Sequence, residues 1–139
     1  MAQTITTTFS SKAWDMRPQN LGIAFEHDHA ITEIHFKGDM EGVGTGSYVV
    51  TYLHGHSSKK EHFSYSGQIL FEGTICGKKG NIIINEGGWS RGDRFHASWI
   101  FDTASGSGEL QGLAGEGEYD SAPGPTKTDQ VVKLDVSFP

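Results

Sequence analysis

Three residues carry the most obvious chemistry in this chain: His54, His56 and Glu61, in the stretch YLHGHSSKKEHFSYSGQ at positions 52–68. Two imidazoles two residues apart point to one side of a β-strand, and a glutamate five residues further on can return from the next turn to complete a set of metal ligands. Lys59 and Lys60 stand inside the same stretch, so it also reads as a polar turn holding solvated histidines. His27 and His29 repeat the two-residue spacing at the start of another strand, where they read as a polar lip.

The spacing of His54, His56 and Glu61 matches part of a cupin-like metal-dependent enzyme, and Gly67 follows where that motif wants a glycine. The fourth ligand of such a site is a histidine in a Pro-x-Gly-x-x-His stretch, and no such stretch exists here. His96 is the only histidine beyond residue 62, and it sits in RFHASW. No bound metal and no cofactor is therefore expected, with His54, His56 and Glu61 as the alternative. GVGTG and GSGELQG lack both phosphate-loop spacing and a following helix, so they read as turns. There is no G-x-S-x-G nucleophile elbow. Glu33, Glu72 and Glu86 fall on different strands and are expected to be surface charges. Arg91, Gly92 and Asp93 read as a hairpin turn.

Alternation with period two dominates the chain, with glycine clusters marking the ends of strands. The first strand is expected from Thr4 to Trp14, followed by a loop, and the second from Ile23 to Lys37. VGTGSYVVTYL is the third, with Gly44 and Gly46 on the face of Tyr48 and Val50; glycine there marks a bend or a close approach. His62 to Ile75 is the fourth, turning at CGKKG, and Cys76 is read as a small apolar strand residue. NIIINEGGW looks covered on both faces. FHASWIFDT alternates cleanly, Ser105 to Leu113 predicts at most one helical turn, EYDSA is extended, and QVVKLDVSF closes the chain.

With 139 residues, 19 glycines and four prolines, the chain reads as a single all-β domain over residues 1–139. Eight strands with one apolar face each must close on themselves or stack. Their length and interior glycines favour an eight-stranded antiparallel β-barrel. The formal charge is −6 and the cations are scattered, which argues against nucleic acid as a partner. A single cysteine excludes an internal disulfide framework, and the amino terminus has no signal-like apolar run, so a cytoplasmic protein without membrane insertion is expected.

The segments FKGDMEGVGTGSYVVTYL, FEGTICGKKGNIIINEGG and above all SGSGELQGLAGEGEY resemble the bacterial family called domain of unknown function 3224, from Trp14 to Phe138. That resemblance implies a barrel like that of allene oxide cyclase, a calycin-like architecture with a cavity. Relatives of that barrel close rings on flexible apolar substrates, so isomerase or cyclase activity is the chemistry it suggests. Ser47 and Glu86 stand where the family commonly has Glu and His, so no catalytic residue carries over. The leading expectation is a small apolar ligand in a cavity lined by Tyr48, Tyr65, Trp89, Trp99 and Phe101, with Glu33, Gln68 and His96 as polar anchors. A self-associating barrel, a homo-oligomer without catalysis, is the alternative.

Overall fold

In a computed structural model, which describes residues 2–19, 25–53, 62–121 and 130–139, the alternating segments form eight strands. They are β1 (Ala2–Gln19), β2 (His27–Gly38), β3 (Met40–Tyr52), β4 (His62–Ile75), β5 (Lys78–Arg91), β6 (Arg94–Gly108), β7 (Ala114–Ser121) and β8 (Gln130–Ser137). Each pairs antiparallel with the next, and β8 returns to β1 through a ladder running from Ala2↔Ser137 to Phe9↔Gln130, so the sheet is a closed barrel with no free edge. Among the described residues no helix is present, and so none that is long and apolar enough to cross a membrane.

Alternation sends one set of side chains inward. Ile34 and Phe36, Ile69 and Phe71, Ile82 and Ile84, and Trp99 and Phe101 are all buried in this way. One end of the barrel is plugged. The turn after β6 (109–112) is held by Glu109 N donating to Lys79 O at 2.8 Å and Leu113 N donating to Leu110 O at 3.1 Å, and this folds Leu110 and Leu113 into the interior. Residues 105–113 thus continue β6 and then turn, without the helical turn that the sequence allowed.

Three local features differ from the sequence reading. β1 runs to Gln19, well past Trp14, because a bulge between Lys12 and Asp15 lets it keep pairing with β2. Ala13 takes a left-handed φ of 55° there, and Thr32 Oγ1 donates to Lys12 O at 2.7 Å. The extra residue reverses parity: Phe9 and Ser11 face the interior before the bulge, Trp14 and Met16 after it. Cys76 is an exposed turn residue, not a strand residue; with Gly77 it forms a two-residue turn in which both φ values are positive, 53° and 78°, as a twisted hairpin requires. Finally, β5 keeps a strict inward face of Ile82, Ile84 and Glu86, whereas Ile83 is only partly covered on the outside.

Candidate functional site

The end of the barrel opposite the plug holds a cavity of about 280 Å³. Its wall is built from the end of β1, the start of β2, the end of β3 and the start of β4, and is completed by Glu86, Phe95 and Tyr119. Eight of its fourteen described lining residues are aromatic, and Glu86 is the only charged one, which makes that carboxyl group the natural focus of any chemistry.

A single row of paired residues explains how Glu86 is held. Across the strands run Tyr48↔Gly67, Gly67↔Glu86, Glu86↔Trp99 and Trp99↔Gly117. Gly67 and Gly117 leave room in the row for the large side chains of Tyr48, Glu86 and Trp99, as a narrow barrel interior requires. With no side chain at Gly67, Tyr48 reaches over β4, and its hydroxyl donates to Glu86 Oε1 at 2.7 Å. The next row repeats the device: Tyr65 pairs with Gly88, and its hydroxyl donates to Glu86 Oε2 at 2.6 Å. The two tyrosine rings meet edge to face with centroids 5.5 Å apart, so each fixes the other's position.

Burial raises the pKa of Glu86 from its ordinary value, and the hydrogen bonds from Tyr65, Tyr48 and Trp99 offset this only in part. Trp99 Nε1 is fully buried without a hydrogen-bond acceptor in good geometry among the described residues, yet stands near enough to favour the charged carboxylate. Tyr48, Tyr65 and Tyr119 are all pushed upward, first by burial and then by the Glu86 charge, so they remain protonated. Tyr52, at the cavity wall, is pushed up to about 12 by burial and by donating to the buried Asp28 at 2.9 Å. The arrangement is a carboxyl group whose two oxygens are each held by a neutral phenol, with a lone pair on each oxygen still available to a third donor. It can accept a hydrogen bond, hold a cation, or give and take a proton at the cavity wall.

The residues singled out in the sequence are scattered by this geometry. Tyr48 and Tyr65 line the cavity. Trp99 and Phe101 lie inside the barrel as core, Trp99 packed against Phe9, Phe36 and Tyr119. Glu33 faces solvent on β2 and bonds to His35. Gln68 donates to Asn85 at 3.2 Å on the outer wall. Trp89 is also on the outer wall, its ring beside His96, Arg91 and Arg94. His54, His56 and Glu61 lie outside the described residues, and among the described residues no three His, Cys, Asp or Glu side chains cluster as metal ligands.

On the outer wall Ser98 Oγ stands 3.3 Å from His96 Nε2, and His96 Nδ1 stands 2.8 Å from Asp120 Oδ1. The order is that of a nucleophile and its base. The Asp120 side chain is 75% exposed, however, and the backbone around Ser98 is committed to the ladders with β5 and β7, so no pair of amides is free to hold an oxyanion.

Glu86 was expected at the surface and is instead 7% exposed. The parity of Ile82, Ile84 and Glu86 is the signal that marks it, and three consecutive isoleucines obscured that parity.

The family model described as "Protein of unknown function (DUF3224)" matches residues 5–130. The chain belongs to the DUF3224 family. A crystal structure of a DUF3224 protein of unknown function from Shewanella oneidensis MR-1 is similar to it, with a TM-score of 0.74 and 17% identity over 100% of this chain and 98% of that one. At that identity the likeness concerns the fold of these DUF3224 chains. None of the curated proteins compared with the chain matches it.

Proposed function

We propose that this DUF3224 chain binds a small, predominantly apolar molecule in the mouth of its barrel, with one polar group of that molecule set against Glu86. The observation that carries this reading is the buried carboxyl group itself. An acid on the wall of an apolar cavity is costly, and a packed core would be more stable with an aliphatic side chain there. Acids of raised pKa in a concave site concentrate where ligands or substrates are handled. The volume is that of about nine water molecules at liquid density, enough for a compact ligand but not for a long chain.

Isomerase or cyclase chemistry, of the kind found in allene oxide cyclase-like barrels, is the reaction class this reading favours. Glu86 would exchange a proton with a ligand held beside it, while the aromatic wall limits the ligand's shape. A second reading, self-association, draws on Val43, Val49, Leu70 and Ile100, which are exposed on the outer wall. Light scattering that finds a monomer at micromolar concentration removes it.

The experiment for the main reading is titration with a neutral naphthylamine probe, followed by probe fluorescence and total tryptophan fluorescence. Saturable binding is expected, with loss of binding in Ala30→Phe, which fills the cavity, and retention in Leu70→Ala on the outer wall. Absence of saturable binding, or binding that a folded Ala30→Phe variant leaves unchanged, overturns it.

A further inference from the structure

We infer that the ligand of the mouth cavity is an organic cation, a protonated amine or quaternary ammonium with an apolar body, whose positive head sits against Glu86 inside the aromatic wall. This rests on the cavity-binding reading and deepens it.

Charge is the first argument. None of the described lining residues is Lys, Arg or His, so among the described residues Glu86 meets no cation in the cavity. Asp28, 6% exposed, stands behind the same wall and accepts the hydroxyl proton of Tyr52, whose ring lines the cavity. A carboxylate or phosphate ligand would be set beside two acidic groups in a medium of low dielectric constant, with no cation among the described lining residues to offset its charge. A cation entering there gains the partner charge that makes a buried carboxylate tolerable.

The walls supply the second argument. Trp14, Tyr48, Phe63, Tyr65, Phe95 and Tyr119 surround the space, and aromatic faces attract cations through their quadrupoles even when the cation carries no proton to donate. Such a wall replaces water well around a weakly hydrated quaternary ammonium ion, whereas a protonated amine would in addition donate to Glu86.

Preorganisation is the third. Among the described residues the groups facing Glu86 are Tyr48 from β3, Tyr65 from β4, Trp99 from β6 and Tyr119 from β7, and all three phenols stay neutral. The two tyrosines that donate to Glu86 fix its orientation and stabilise its charged form without cancelling the charge. Cation binding favours that charged form, so affinity rises with pH until the carboxyl group is fully ionised. A neutral ligand that accepts a hydrogen bond from the protonated acid shows the opposite slope.

The test uses the intact chain and three benzyl probes: benzyltrimethylammonium, its uncharged carbon isostere neopentylbenzene, and the smaller anion phenylacetate. Binding is followed by calorimetry and by the total tryptophan fluorescence at pH 6 and pH 8. The cation is expected to bind at least about tenfold more tightly than the isostere in the unaltered protein. Its advantage should grow toward pH 8 and shrink in Glu86→Gln to what the aromatic wall alone supplies, while the isostere still binds. Equal or tighter binding of the isostere, preference for phenylacetate, or a falling affinity for the cation with pH overturns the inference and leaves the cavity reading standing. Failure of all three probes to bind removes both. The comparison of cation with isostere needs no variant, so it decides even if Glu86→Gln does not fold.

Discussion

Gly67 lies directly opposite Tyr48 on β4, and a β-carbon at Gly67 would stand 2.7 Å from the tyrosine ring and 2.0 Å from Ser47 O. That missing side chain is what lets Tyr48 lie across the neighbouring strand and meet Glu86. Gly67→Ala is therefore expected to cost about 1–3 kcal/mol by overpacking. Gly87 has nothing closer than 3.8 Å, so Gly87→Ala should stay within about 0.5 kcal/mol. Urea unfolding of the two variants checks the contrast, and equal effects would mean that the space at Gly67 is not needed.

Glu86 links stability to pH. Its native pKa is raised above the ordinary 4.5, so between those two values the native state binds more protons than the unfolded chain. Stability then falls as pH rises through that window, with a slope of up to about 1.4 kcal/mol per pH unit. Glu86→Gln cannot titrate. Thermal unfolding from pH 5 to pH 9 should show a steeper loss in the unaltered protein than in the variant, and parallel curves would contradict a raised pKa.

Trp99 and Trp14 should separate packing from access. Trp99 is fully buried and packs against Phe9, whereas Trp14 is 53% exposed at the cavity mouth. Trp99→Ala should cost about 3–5 kcal/mol. Trp14→Ala should cost under about 1 kcal/mol, since little of that side chain is removed from water. Only the second is expected to abolish the fluorescence response to ligand while the barrel stays folded; denaturant curves and a probe titration together check both.

Cys76 occupies a left-handed position that Asn adopts more readily. Cys76→Asn should raise stability by a few tenths of a kcal/mol to about 1 kcal/mol, and Cys76→Val should lower it, because a β-branched residue is strained at positive φ. Denaturation midpoints decide, and no difference between the two variants would show that the turn can adopt another form.

The closed barrel was legible because alternation is local: each of Ile34, Ile69, Trp99 and Leu134 announces its inward face through its own neighbours, and eight such faces leave no stable open arrangement. Tyr48 and Tyr65 were legible for the same reason. Register and cross-strand neighbours were not, because they are set by pairing between segments far apart in the chain. Only the folded barrel puts Glu86 beside two phenols drawn from β3 and β4, and only the bulge at Ala13 turns Trp14 and Met16 toward the mouth. Glu33, Gln68 and His96 share their residue types with good ligand anchors, yet parity holds them on the outer wall, away from the cavity. Residue type proposed the chemistry and the parity of Ile82, Ile84 and Glu86 marks the inward carboxyl group, but long-range pairing, which no local pattern encodes, decided what surrounds it.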